Sequence, residues 1–388
     1  MARAGAPAPR GDARGGAAGP HGARNPWLAV RRLLVVRADN VGDVLMTGPA
    51  LAALRAALPA ARITLLASPA GGEAAPLLPW IDDVIAWRVV WQDLGRLPLD
   101  PDRERRLIER LARERFDGAV IFTSFSQSPH PPAFVAWLAG VPLRAGASHE
   151  EGALLTHAIP SGPDGRHQVA RNIELVTALG FPPRDDRLQL RVPPAAQART
   201  AALLDARGLP PGAPYVLLAP WASAAARTYD AERMAATARL VAAATGATVV
   251  VTAHPRDAAR TAALAARIGR RAVDLTGCTS VVELAALIAR ARIVLTVNTS
   301  ALHMADALGV PVVALYSGTD LVSQWAPRRA PHALLGKPTP CTPCYRFTCP
   351  FGMECLDVEP AAVAAAAVAL LAGRAPPTRR ATEEPAHA

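Results

Sequence analysis

Short apolar runs alternate with longer helical patterns along most of the chain. In the first half the apolar runs lie at 33–36, 63–66, 83–86 and 119–122. Helical patterns separate or follow them, one carrying Leu51, Leu54 and Leu58, a charged one over 102–115 and one over 133–139. This alternation is typical of parallel strands joined by crossover helices. It predicts an α/β domain whose sheet is covered on both faces.

The same alternation restarts after a helical pattern over 169–179 and a proline-rich stretch at 182–194. Apolar runs follow at 215–219, 248–252, 272–275, 293–297 and 310–315. The two blocks join near 195–212. We therefore predict two doubly wound domains with a cleft between them, and ligands of such folds lie beyond the carboxyl ends of the strands.

The domain boundaries follow from these blocks. We expect a disordered basic tail at 1–30, an N-terminal domain at 31–195, a second domain at 210–340, a cysteine-rich loop at 341–356, a C-terminal helix at 357–373 outside both blocks, and a disordered tail at 374–388. Neither tail has apolar periodicity. The last helix is expected to be capped at Asp357, to carry Pro360 in its first turn and to stop at Gly373.

Charge and targeting signals narrow the class of protein. The formal charge is +10, but residues 1–32 hold six arginines and one aspartate, so about half of the excess lies in the tail. The remaining positive charge suits an anionic substrate or an acidic membrane surface, and no basic run is interleaved with aromatics as in nucleic-acid binders.

The N-terminal segment lacks a signal-peptide core, and the apolar stretch at 361–372 is too short to span a bilayer. We expect a cytoplasmic protein with no transmembrane segment, and peripheral membrane contact stays open.

Two turns are candidates for chemistry. Residues 298–303, Asn-Thr-Ser-Ala-Leu-His, lie between a strand and a helix, so the turn presents a helix N-terminus that suits a phosphate. Thr299 and His303 share one helix face.

In the first block, Gly42 permits a tight exit from a strand. Asp43 lies at the start of the next helix, where it can cap the helix or act as a general base. Ordinary capping is the alternative for both turns. Gly48-Pro49 implies a kink or a helix restart at Pro49.

Three segments together resemble glycosyltransferase family 9, the heptosyltransferase-like enzymes of lipopolysaccharide core assembly. They are Arg-x-x-Asn-x-Gly-Asp-Val-Leu-x-Thr-x-Pro-Ala-Leu at 37–51, Asn-Thr-Ser-Ala-Leu-His-Met-Ala-Asp-Ala-Leu-Gly-Val-Pro-Val-Val-Ala-Leu at 298–315, and the cysteine-rich segment at 341–355. The resemblance extends over about 32–372. It implies a GT-B architecture of two Rossmann-like domains, with the acceptor bound by the first and a nucleotide sugar by the second.

The resemblance also implies roles for individual residues. The family's transferases invert the anomeric centre without a metal ion, and Asp43 matches the aspartate that deprotonates the acceptor hydroxyl. The segment 220–232 matches the family's phosphate loop, which contains Ser223 and has Arg227 at the usual lysine position. Arginine keeps the cationic charge but differs in shape from an ammonium group, and a solvated surface charge is the alternative reading of Arg227.

The donor motif departs from the family pattern Asp-Thr-Gly-Pro-x-His. At position 298 asparagine replaces the aspartate and its negative charge, and at position 300 serine replaces the glycine. Both changes are compatible with phosphate binding, but they leave the identity of the sugar open. We predict donor contacts from Ser223, Asn298, Thr299, Ser300 and His303, although His303 can also be an ordinary helix histidine.

The acceptor side is predicted from the N-terminal domain. Its expected contacts are Arg37, Asn40, Gly42, Ser124 and Arg144, with a solvated arginine as the equal alternative for Arg144. His167 and Arg171 can meet an anionic acceptor or simply solvent.

Four of the five cysteines, Cys341, Cys344, Cys349 and Cys355, fall within fifteen residues. Such a cluster can hold a structural zinc ion, or its thiols can be reduced and cover the donor site; disulfides are disfavoured in a cytoplasmic enzyme. We expect no catalytic metal and no cofactor.

The sequence thus predicts a transferase that moves a sugar, with ADP-heptose as the expected donor, to a hydroxyl of an anionic glycolipid at the inner membrane surface. Alternatives are a transferase with another sugar and acceptor, a sugar-nucleotide epimerase, and a sugar-nucleotide-binding protein without turnover. An oxidoreductase is disfavoured because no Gly-x-Gly-x-x-Gly turn with a later acidic partner occurs.

Overall fold

The first half of the chain forms a six-stranded parallel sheet, as seen in a computed structural model that describes residues 25–93, 96–150, 152–160, 162 and 165–375. Its strands lie in the order β3-β2-β1-β4-β5-β6. The elements are β1 (Arg32–Arg37), α1 (Val41–Leu45), α2 (Gly48–Ala57), β2 (Arg62–Ala67), α3 (Pro69–Gly72), β3 (Asp83–Ala86), α4 (Pro101–Glu114), β4 (Gly118–Ile121), α5 (His130–Leu138), β5 (Leu143–Ala147), β6 (His157–Ile159) and α6 (Gln168–Ala178).

The second half forms another six-stranded parallel sheet, in the order β12-β11-β10-β7-β8-β9. Its elements are α7 (Pro194–Asp205), β7 (Tyr215–Ala219), α8 (Ala231–Thr245), β8 (Thr248–Val251), α9 (Ala258–Ile268), β9 (Ala272–Asp274), α10 (Val281–Arg290), β10 (Ile293–Val297), α11 (Ser300–Leu308), β11 (Val312–Leu315), α12 (Val322–Trp325), β12 (His332–Leu335) and α13 (Pro360–Leu371). The predicted α/β class with two doubly wound domains is confirmed.

The apolar runs located most strands, and three strands were missed. β5 contains Arg144 and three small residues, so it has no β-branched run, whereas β6 and β12 are only three and four residues long. The helical pattern after β1 is divided: α1 ends at Leu45 and α2 begins at Gly48 with Pro49 in its first turn. A helix restart, rather than a kink, resolves the Gly-Pro pair, because proline fits the first turn where its missing N–H is not needed.

The predicted N-terminal tail is too long. Residues 1–24 lie outside the described part of the chain, but 25–30 are folded: Asn25 caps a 3-10 helix, Pro26–Ala29, and its side-chain amide donates to the Leu179 carbonyl. Trp27 is 1% exposed and packs its ring against Gly118 of β4. Burial of this large aromatic residue, together with the Asn25 bond, stabilises this short segment. The predicted C-terminal tail lies outside the described residues from 376 onward.

The last helix also differs from the prediction. Its N-cap is Glu359, not Asp357, and Pro360 is its first residue. Asp357 instead accepts from Arg233 and pairs with Lys337. The helix packs on α8 and its apolar side chains join the core of the second domain. It therefore belongs to that domain in space, although it lies outside the strand-helix alternation in sequence.

The two domains share packed surfaces. One buried apolar cluster continues from the first sheet through α6 and α7 to the second sheet. Across the boundary, Arg329 donates to the Asp186 carboxylate at 2.7 Å and Arg328 donates to the Asp186 carbonyl at 2.8 Å. α1 of the first domain packs on α11 of the second. These contacts fix the two predicted ligand turns beside one another. Within the described residues, no helix is long and apolar enough to cross a membrane.

Candidate active site

The first-domain half of the site is a charged cluster at the end of β1. Arg37 is fully buried and donates through Nη2 to Asp43 Oδ1 at 3.0 Å and to Ser124 Oγ at 2.9 Å. Asp43 also accepts the backbone N–H of Asn40 at 3.2 Å, which is half of a capping box at the start of α1. Its side chain is 17% exposed. Asp43 therefore caps its helix and still keeps access to the cleft, so the capping and catalytic interpretations are compatible.

Arg37 holds Asp43 rather than contacting a ligand itself. No part of its guanidinium side chain is exposed, so the structure does not support the predicted direct contact with the acceptor. A buried arginine needs a counter-charge, and Asp43 supplies one on the cleft side. Asn40 is exposed and Ser124 is half-buried, so both remain candidates for acceptor contact.

Asp39, which the sequence analysis did not single out, supplies a second counter-charge. Its Oδ2 lies 3.0 Å from Arg37 Nε, and its Oδ1 accepts from the amides of Gln92 and Gln127. Burial raises the pKa of Asp39, and the nearby Asp43 adds to the rise while Arg37 opposes it. The one signal for this role in the sequence is that Asp39 lies in the same turn as Arg37 and Asp43.

The second-domain half of the site is the start of α11. Thr299 is its N-cap and makes no side-chain capping bond, and Ser300 is the first helical residue. The N–H groups of the first turn and the helix dipole are thus directed at the cleft. His303 lies one turn later and is 5% exposed, and burial lowers its pKa to about 4. It is therefore a neutral imidazole near pH 7, able to donate one hydrogen bond.

The two halves meet at Gly42. A Cβ atom built on this residue would lie 2.8 Å from Cδ2 of His303, well inside ordinary contact distance. Asp43 is the next residue in α1; burial lowers the pKa of His303, and the charge of Asp43 opposes this larger effect. The glycine therefore allows the helix carrying Asp43 to lie directly against the helix carrying His303.

Arg227 is held by a buried carboxylate that the sequence analysis missed. Its Nη2 donates to Asp320 Oδ1 at 2.8 Å and its Nε donates to Thr319 Oγ1 at 3.2 Å. Asn298 Nδ2 donates to Asp320 Oδ2 at 3.1 Å. The Arg227 side chain is 28% exposed, so it is a paired residue at the edge of the cleft and not a freely solvated charge. Ser223 is exposed in the loop after β7.

Arg144 is not part of this site. Its guanidinium donates to the carbonyls of Leu154, Val141, Pro142 and Ala153, and the residue is buried. The bonds to Leu154 and Ala153 tie β5 to the loop that precedes β6, and the other two tie it to the turn before β5. The structure does not support the predicted acceptor contact of Arg144, because its donors are directed at main-chain oxygens. His167 and Arg171 are at the start of α6, where His167 accepts from Val169 and contacts the Ala326 carbonyl of the second domain.

The cysteine-rich loop packs beside the Arg227 cluster. Backbone N–H groups of Cys344 and Tyr345 donate to the carbonyls of Gly318 and Thr319, and Ala226 donates to the Phe347 carbonyl. Tyr345 also contacts Phe125 of the first domain, with ring centroids 5.0 Å apart. All four cysteines are free and line one small cavity, and burial raises the pKa of Cys355. Within the described residues, no three histidine, cysteine or acidic side chains are arranged to hold a metal ion.

Two parallel α/β domains that place a helix start suited to an anion beside a partly exposed carboxylate are typical of nucleotide-sugar transferases. The sequence profile of glycosyltransferase family 9 (heptosyltransferase) matches residues 104–354. The chain belongs to this family. It is also 28% identical over 115 residues to a Haemophilus influenzae protein named "Putative glycosyltransferase", and the match spans 30% of each chain.

Solved structures share the fold. ADP-heptose lipopolysaccharide heptosyltransferase II of E. coli is 21% identical with a TM-score of 0.70, over 88% of this chain and 99% of that one. A family 9 glycosyltransferase of Veillonella parvula is 20% identical with a TM-score of 0.66, over 79% and 85%. An iron-containing dodecameric glycosyltransferase of enterotoxigenic E. coli is 15% identical with a TM-score of 0.51, over 89% and 76%. At these identities the likeness shows the GT-B fold alone.

Proposed function

We propose that the protein is an inverting glycosyltransferase that moves heptose from ADP-heptose to a hydroxyl of an anionic glycolipid at the inner face of the cytoplasmic membrane. The observation that carries this proposal is the contact between α1 and α11. It brings a partly exposed carboxylate, Asp43, beside a helix start suited to a diphosphate. The name of the E. coli heptosyltransferase with the same fold supports ADP-heptose as the donor.

The chemistry follows from these positions. As the acceptor oxygen attacks the anomeric carbon, its proton passes to Asp43, and the bond from that carbon to the diphosphate oxygen breaks on the opposite face. Attack opposite to the leaving group inverts the anomeric centre. Negative charge grows on the departing nucleoside diphosphate, where the start of α11 and the Arg227 guanidinium can offset it. These two groups give the reaction a means of stabilising the leaving group without a metal ion.

The first experiment is a binding and turnover panel in metal-free buffer with chelator. ADP-heptose is compared with UDP-, GDP- and dTDP-sugars, first by calorimetry and then by release of the nucleoside diphosphate. Selective binding of ADP-heptose is expected. Selective binding of another nucleotide sugar would contradict the proposed donor and keep the reaction class, whereas turnover that requires an added divalent cation would contradict the metal-free mechanism.

Asp43→Asn separates binding from catalysis. The amide keeps the size of the side chain but cannot accept the proton, so donor affinity should stay within about threefold while turnover falls by 10²-fold or more, at the low end of losses seen when a general base is removed. Asp102→Asn, on the exposed face of α4, is the matched control and should behave as wild type. Full turnover by Asp43→Asn would rule out its role as the base.

The replacement of the family aspartate by Asn298 favours a second candidate of the same reaction class. If the donor is another sugar, the change in hydrogen bonding at Asn298 is expected to show as a preference for a different nucleotide sugar in the panel.

The membrane-bound acceptor is tested by flotation with vesicles that contain purified lipopolysaccharide core lipid. A protein that acts on this lipid should bind these vesicles and transfer the sugar to the lipid directly.

A further inference from the structure

Asp320 is a buried carboxylate that accepts three hydrogen bonds in the donor half of the site. Arg227 Nη2 donates to its Oδ1, while Asn298 Nδ2 and Thr319 Oγ1 donate to its Oδ2, at 2.8, 3.1 and 2.7 Å. All three partners lie on different loops, which follow β7, β10 and β11. A buried carboxylate with this many donors is an anchor, since removing its charge would leave donors unpaired.

The anchor determines which part of Arg227 is offered to a ligand. Nε is bonded to Thr319 and Nη2 to Asp320. In the described part of the chain, Nη1 has no hydrogen-bond partner, and the side chain is partly exposed. Because the guanidinium is planar, fixing two of its nitrogens fixes the direction of the third.

We infer that Asp320 is a positioning residue that aims Arg227 at the diphosphate of the donor, and that Asn298 is matched to it as a hydrogen-bond donor. The inference rests on the proposed function, since it names a determinant of that same donor site. It explains the neutral residue at 298. A carboxylate there would face Asp320 at about the separation of a hydrogen bond, and two such charges repel strongly.

Three variants test the match between the two residues. Asp320→Asn presents an amide N–H₂ to the N–H₂ of Asn298, and Asn298→Asp presents two carboxylates to each other. The double variant Asn298→Asp/Asp320→Asn restores one donor and one acceptor across the same gap and keeps the net charge. In the double variant the new amide carbonyl at position 320 can still accept from Arg227, so recovery of function is expected.

The measured quantity is the ratio of affinities for a nucleoside diphosphate and its monophosphate, by calorimetry without metal, using ADP and AMP, UDP and UMP, and GDP and GMP. A hydrogen bond from a charged group is worth about 1.5–3 kcal/mol, or roughly 10- to 100-fold. The ratio is expected to fall about tenfold in each single variant and to return to within about threefold of wild type in the double variant. A loss of packing alone would lower the melting temperature without changing this ratio.

Each remaining outcome counts against the inference. If Asp320 were only a nearby negative charge, Asp320→Asn would bind the diphosphate more tightly, and an unchanged or raised ratio overturns the positioning role. Failure of the double variant to recover overturns the match with Asn298. If wild type binds nucleoside diphosphates but these variants do not behave as expected, the inference alone fails; if wild type binds none of the three, the proposed function fails with it.

Discussion

Gly42→Ala is expected to separate the two halves of the site. The new methyl group would lie 2.8 Å from His303 Cδ2, whereas carbon atoms in contact are at least about 3.5 Å apart. The helices α1 and α11 must therefore move apart by about 0.7 Å at this point. Because His303 is buried, it has little room to turn aside. Displacement of reacting groups by about 1 Å can cost about 100-fold in rate, so we expect the turnover number to fall about 10- to 100-fold.

Stability should change much less than activity. Overpacking costs about 1–3 kcal/mol, but alanine in a helix is favoured over glycine by roughly 0.5–1 kcal/mol. The net loss in free energy of unfolding should thus be about 2 kcal/mol or less, and the protein should remain folded. Release of the nucleoside diphosphate at saturating donor measures the first effect, and denaturant unfolding measures the second.

Gly48→Ala provides the matched control. The nearest atoms to a Cβ at that position are 3.5 Å away, on Trp80, so a methyl group makes only ordinary contacts. We expect wild-type turnover from this variant. Wild-type turnover from Gly42→Ala as well would refute the reasoning, because it would mean that the close approach of α1 to His303 is not needed for the reaction.

Three further predictions concern pH and stability. Burial keeps His303 neutral with a pKa of about 4, whereas the unfolded residue takes up a proton near pH 6.5, so unfolding is favoured as the pH falls between these values. From pH 7 to pH 5 the free energy of unfolding should therefore drop about 2 kcal/mol more in wild type than in His303→Gln. Equal drops in the two proteins would contradict this prediction. Asp306→Ala removes the acceptor of the backbone N–H groups of residues 328, 329 and 330. Its free energy of unfolding, measured with denaturant, should therefore fall by about 3 kcal/mol or more. A fall below about 1 kcal/mol would show that water replaces the carboxylate. Arg144→Ala should lower the melting temperature and leave the KM for the acceptor unchanged, and a raised KM would return Arg144 to the acceptor site.

The fold was predictable because its signals are local. Buried parallel strands such as β1, β7 and β10 are continuous apolar runs, and each ends at a turn that a helix follows. Of the three strands that escaped prediction, β5 has no β-branched run, whereas β6 and β12 are short strands at the sheet edges, where burial is incomplete. β6, for example, has three residues and none is fully buried. Edge strands of this kind are specified by the neighbour they pair with, not by their own composition.

The candidate site was only half predictable, for a different reason. Asp43, Arg227 and His303 stand in recognisable turns, so their positions could be proposed from sequence. Their partners could not, because a hydrogen bond between residues such as Arg227 and Asp320, 93 positions apart, leaves no mark in either local segment. The prediction for Arg144 is limited in the same way: the resemblance places this arginine on the acceptor side, and only the loop that folds over it shows that its donors are already used.

These partners change the meaning of the family departures at the donor turn. Taken alone, Asn298 and Arg227 suggest a weakened site, with one carboxylate lost and a lysine exchanged. In the structure the negative charge is present on Asp320, and the planar guanidinium of Arg227 is the group that can bond to Thr319 and Asp320 at once and still keep Nη1 available. Lysine also has three N–H donors, but they share one nitrogen, so bonding to Thr319 and Asp320 would leave no separate nitrogen available. The two departures are therefore better explained as one coordinated change that keeps a cation directed at the diphosphate, which argues against a degenerate binding protein.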